Sequence, residues 1–229
     1  GALDVGTDDL IFVWTLVAAD ETSVAPARVA AYYNDGVEPD PPLSLTGSHP
    51  FKASDALHLA VPALGPHRLR LVVADDDGGS VSDRLSVLIT GDGACTWSEA
   101  TWRRQLGNGR QAATDPDRLT AYLAVIRHAS ATFDEANLAD IEDARALLRE
   151  GGGPDPARSL RQRTLAAWLN FASGGVRWDE DVAGRPFHDI VLDAEALLAA
   201  GGSQGQLSRA AQAVDAVNRL HRGGACDDE

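Results

Sequence analysis

The chain has 229 residues, 44% of them apolar, and its 20 Lys and Arg against 34 Asp and Glu leave a net charge of −14. That is enough apolar material for one large or two ordinary packed domains, which excludes intrinsic disorder, and the acidity disfavours phosphate backbones and anionic lipid as partners. No apolar run approaches a membrane-spanning length, no charged-then-apolar leader precedes Leu3, and the lack of any Met points to a processed or excised piece.

Leu10–Val17 reads as a strand with Trp14 inside it, and Val29–Tyr33 as a second. Beside the turn signal Asn34-Asp35-Gly36, one of Tyr32 and Tyr33 is expected to face in and the other out, which makes Tyr33 a candidate binding aromatic. Gly36–Pro50, rich in Pro, Asp and Ser, reads as a long loop. Leu57, Leu59 and Val61 alternate as a third strand. Leu69–Ala74 and Val81–Ile89 form a hairpin about Asp75-Asp76-Asp77-Gly78-Gly79, since Asp-Gly between apolar runs is a strong turn signal. The carboxylates of Asp75, Asp76 and Asp77 on that turn are also candidate Ca²⁺ ligands, with Asp8, Asp9 or Asp35 joining if the loops converge. The plain alternative is a solvated turn. Residues 1–93 are therefore expected to form an all-β domain, a sandwich.

From residue 94 the period becomes helical. Thr96 with Glu99 has capping-box spacing and opens a first helix through Trp102 and Leu106. Asp115-Pro116 is an N-cap followed by proline, after which Leu119, Tyr122, Leu123 and Ile126 share a face. Leu138, Ile141 and Leu148 mark a third helix, stopped at Gly151. Asp155-Pro156 opens a fourth, carrying Leu165, Trp168, Leu169 and Ala172 and closed by Gly174. A fifth runs through Ile190, Val191, Ala194, Leu197 and Leu198 to Gly201, and a sixth through Leu207, Val214, Val217 and Leu220 to Gly223. Six short helices predict an all-α bundle over residues 94–229. Cys95 and Cys226, the only cysteines, bracket it. A disulfide between them would close a loop of about 130 residues, contribute roughly 4–5 kcal/mol, and imply an oxidising compartment. The alternative is two unrelated buried thiols.

Leu69-Arg-Leu-Val-Val-Ala-Asp-Asp-Asp-Gly-Gly-Ser-Val-Ser-Asp-Arg-Leu-Ser-Val resembles the last two strands of PKD-like domains, Ig-like sandwiches of secreted and surface proteins, and Gly6–Leu16 resembles their Trp-bearing strand. Cys95-Thr-Trp-Ser-Glu-Ala-Thr-Trp-Arg103 and Leu165-Ala-Ala-Trp-Leu-Asn-Phe-Ala-Ser-Gly174 are similar to a helical module that follows PKD-like repeats in large secreted bacterial and archaeal proteins. That resemblance implies an extracellular or cell-surface location and a modular setting, and no chemistry.

No nucleophile elbow, phosphate-binding Gly loop or metal-ligand spacing of histidines occurs, so no enzyme is expected and no cofactor beyond the Ca²⁺ candidate. Trp178, beside Asp179-Glu180-Asp181, offers a ring to a sugar or a partner, or anchors its own loop. PKD-like sandwiches carry two strands ahead of the Trp strand, and this sequence begins almost at it. An incomplete sandwich invites a neighbour's strand, which makes a filament or surface-layer subunit the expected function. The alternative is a spacer module or a Ca²⁺-dependent carbohydrate- or matrix-binding module. Self-association is the expected partnership, without nucleic acid or membrane insertion.

Overall fold

The computed structural model describes residues 10–17, 28–32, 63–75, 79–107, 114–149 and 155–221, with 28–32 as backbone. The chain divides into two compact units, Gly1–Ile89 and Thr90–Glu229.

In the first unit, β1 (Leu10–Val17), β2 (Arg28–Tyr32), β3 (Gly65–Asp75) and β4 (Ser80–Ile89) form one sheet in the order β2-β1-β3-β4, every neighbour antiparallel. Alternation sets Phe12, Trp14 and Leu16 on one face opposite Val73, Leu71 and Leu69, and Ile11 and Val13 on the other opposite Ala74 and Val72. Leu16 and Val73 on the first face and Ile11 and Val17 on the second are buried. The Phe12 and Trp14 rings stack at 5.7 Å along the first face.

This overturns the sandwich. A sandwich needs two facing sheets, and the described strands of this unit make a single sheet. The hairpin is present but longer than its apolar core suggested: β3 starts at Gly65, where His67 is buried and donates from Nδ1 to the Gly65 carbonyl at 3.0 Å. The expected strand Leu57–Val61 lies outside the described residues.

The second unit carries α1 (Glu99–Gln105), α2 (Pro116–Ala129), α3 (Ile141–Arg149), α4 (Pro156–Ser173), α5 (Phe187–Ala200) and α6 (Gln204–Val217). Asp115 and Asp155 cap α2 and α4 by accepting from Asp117 N and Ala157 N. Ser98, not Thr96, caps α1. Thr96 is buried, and its hydroxyl accepts from His221 N at 3.0 Å instead. Ser203 and Gln206 form the capping box of α6. Helix α4 is the centre: it packs against the other five helices and is buried without interruption from Thr164 to Ser173. Trp102, Phe133, Trp168 and Phe187 fill the core around it.

An all-α bundle closed by a disulfide needs two corrections. A two-stranded ribbon, β5 (Asp181–Val182) and β6 (Arg185–Pro186), precedes α5. Its two-residue turn, Ala183-Gly184, has positive φ at both positions, 55° and 86°, as a type I′ turn requires. The expected disulfide is not part of the described structure: Cys226 lies outside the described residues, and no bond from Cys95 to it is seen among them. Within the described residues, the start and end of the unit meet through hydrogen bonds. Asn170, fully buried on α4, accepts from Trp97 N (2.7 Å) and Trp102 Nε1 (2.8 Å) and donates to Trp97 O (3.0 Å) and Asn218 Oδ1 (2.9 Å).

Residues Gly91 and Gly93, placed with the β half by composition, also belong here. Their N–H groups donate to Ala172 O and Ser173 O, both at 2.8 Å, at the end of α4.

Candidate functional site

The sheet of the first unit ends, among the described residues, on β2 at one side and β4 at the other. Strand β4 pairs with β3 along ten residues, Gly65↔Ile89 through Ala74↔Ser80. Its segment Ser80–Ser86 is exposed, and Val81 and Leu85 are each 60% exposed. Both lie on the apolar face, in the rows of Phe12–Val73 and Leu16–Leu69. A long edge strand with exposed apolar side chains is a template for a further strand: its outer backbone groups supply hydrogen bonds, and the side chains supply apolar contact. Asp83 stands between Val81 and Leu85 on that face, with its carboxylate accepting from Arg84 N at 2.7 Å.

The candidate Ca²⁺ turn is only partly described. Asp75 closes the hairpin, its carboxylate accepting from Gly79 N and its own N–H donating to Gly79 O at 3.1 Å. Asp76 and Asp77 lie outside the described residues, as do Asp8, Asp9, Asp35 and the binding candidate Tyr33. Among the described residues, no three His, Cys, Asp or Glu side chains gather as metal ligands.

Trp178 is 41% exposed and caps an aromatic cluster. Its ring stacks on His188 (5.3 Å, 15°) and lies against Phe171 (5.5 Å) and Trp168 (6.1 Å). His188 fixes the turn by donating to Trp178 O from its backbone N–H (3.2 Å) and from Nδ1 (2.8 Å). The His188 Nε2 stands 3.4 Å from the neighbouring Asp189 carboxylate. Trp178 anchors its loop while leaving part of its ring open to solvent.

Glu180 holds the same turn. Its carboxylate accepts from Arg177 N and meets His221 Nε2, both at 3.2 Å. Burial alone would raise this carboxyl, but the Arg177 N–H, the His221 imidazole and the Arg177 charge outweigh it, and the group lies below its ordinary value of 4.5. A carboxyl lowered by folding stabilises the fold above its unfolded value, and the gain is lost as the pH falls through the folded value. The melting temperature of the wild type should exceed that of Glu180→Gln at neutral pH, and the gap should close as the pH drops below 4.5. A gap that persists in acid would overturn this role for the charge.

Two further features emerge from the packing. Glu195 on α5 is buried and accepts from the Ser130 hydroxyl, Ala131 N (3.1 Å) and Trp168 Nε1 (2.9 Å). It is a fully partnered carboxylate joining α5 to α4 and to the segment after α2. Its signal was available: it falls four residues after Val191 on an apolar face. A cleft of about 510 Å³ beside α4 is lined by Arg158, Arg161, Gln162, Asn137 and Thr132, and the Arg161 Nε is buried with no hydrogen-bond partner.

Among the described residues, no helix is long and apolar enough to cross a membrane. No protein family, curated protein or solved structure matches the chain.

Proposed function

We propose that the protein is a non-enzymatic structural subunit of an extracellular surface assembly, joined to neighbouring copies through the β4 edge of its sheet. The observation that carries this reading is the exposure of Ser80–Ser86 with Val81 and Leu85 on one apolar face. Apolar side chains on a long edge strand favour aggregation, and natural edges are blunted by Lys, Pro or bulges. Here β4 has no Lys, Pro or bulge in its register with β3, and Asp83 and Arg84 are its only charged side chains. The neighbour adds a strand to an open edge; it does not complete a sandwich. The extracellular setting follows from the resemblance of the helical segment to modules of secreted proteins.

Light scattering and electron microscopy of the full chain test this. The wild type should form species that grow with concentration. Val81→Lys combined with Leu85→Lys should raise the concentration needed by at least about tenfold while the melting temperature holds, because two cations replace the apolar edge. A folded wild-type monomer at the highest attainable concentration would overturn the proposal.

A further inference from the structure

We infer that the cleft beside α4 binds a small organic monocarboxylate, with the Arg161 guanidinium as its counter-charge. The inference concerns the helical unit alone and is independent of whether copies assemble.

Arg161 carries it. Its Nε is buried without a hydrogen-bond partner, and no hydrogen bond or ion pair joins its guanidinium to another described residue. A guanidinium does not deprotonate in a protein, so the charge persists although one edge of the group is desolvated. Leaving that charge uncompensated costs free energy, and the compensation can come from the cleft that Arg161 lines. The placement of the cations is a second observation. Helix α4 sets Arg158 in its first turn and Arg161 one turn later on the same face, and both line the cleft. No acidic residue stands in that first turn. The positive end of a helix disfavours cations and favours an anion. Two arginines and a helix N-terminus thus add positive potential to one cavity.

The walls select the anion. The cleft, at about 510 Å³, has the volume of a small-molecule site. Its lining also includes the Thr132 hydroxyl, a potential donor, and the apolar side chains of Leu147 and Leu198. That combination suits a charged head with a hydrocarbon tail. A planar carboxylate matches the guanidinium fork, and the tail gains apolar contact with the leucines. Inorganic phosphate suits it less. Asp155 is part of the same lining, and the chain carries a net charge of −14, so repulsion grows with the charge of the ligand. The Asp155 carboxylate is engaged in capping α4 through Ala157 N at 3.0 Å.

Calorimetric titration of the full chain with hexanoate, acetate and inorganic phosphate tests this. Hexanoate should bind saturably with a Kd of about 1 mM. Acetate should bind at least about tenfold more weakly, because it leaves the leucines uncovered, and phosphate no better than acetate. Arg161→Met keeps an apolar stem of similar length and removes the charge. It should weaken hexanoate by about tenfold or more and melt no lower than the wild type, since no bond within the fold is lost. Arg161→Lys keeps the charge without the fork and should also weaken hexanoate. Absence of saturable heat from hexanoate would overturn the inference, as would equal affinity in Arg161→Met or tighter binding of phosphate. So would a Met variant that melts well below the wild type, because the cation would then be serving the fold.

Discussion

Replacing Asn170 with Ala should destabilise the helical unit by about 4 kcal/mol, the largest loss expected from a single polar side chain here. Four hydrogen bonds disappear together. Each contributes roughly 1 kcal/mol net, the stranded Trp102 Nε1 stays buried without water to replace the lost oxygen, and the half-buried Trp97 N–H loses its acceptor. Asn170→Asp should be comparably harmful, because its second oxygen would face the acceptors Trp97 O and Asn218 Oδ1 and bring a buried charge. Urea unfolding measures both. A loss below about 1 kcal/mol for the Ala variant would show that the node is dispensable.

Gly174→Ala should cost about 3–4 kcal/mol, from a left-handed backbone and a steric overlap combined. Gly174 has φ +91°, and a Cβ there would stand 2.1 Å from Gly91 O and 2.8 Å from Gly93 N. Those are backbone atoms that cannot swing aside. Gly184 is the natural comparison: its φ is +86°, but nothing lies within 4 Å of a Cβ. Gly184→Ala should therefore lose only about 1–2 kcal/mol, the backbone cost alone. Amide exchange supplies a second readout, since Gly91 and Gly93 should lose protection in Gly174→Ala and keep it in Gly184→Ala. Equal losses in the two variants would show that the close approach contributes nothing.

The helices announced themselves where a local rule acts alone. Asp115-Pro116, Asp155-Pro156 and the Gly174 stop were legible because capping and left-handed termination need only adjacent residues. Thr96 misled because its hydroxyl is claimed by His221, 125 residues away, which leaves Ser98 to cap α1. The ribbon was missed because Ala183 takes a positive φ that its identity does not advertise. Asn170 and Glu195 both sit inside apolar runs, where a polar residue signals burial with partners but names none of them. The sandwich was the largest error. Alternating strands specify a two-faced sheet, and the pattern holds on both faces of β1 and β3 without saying whether a second sheet covers either. The expected open seam lay at strands missing ahead of the Trp strand; the exposure of β4 is visible only once the strands are paired.

The docking of Gly91–Trp97 onto α4 has a mechanical consequence. If the chain is pulled from the side of residue 89, load reaches Gly91 and Gly93 first, and their bonds hand it to the C-terminal end of α4. Trp97 then passes the remainder through Asn170 into the middle of the bundle and across to Asn218 after α6. That segment is thus anchored in the most buried of the described helices.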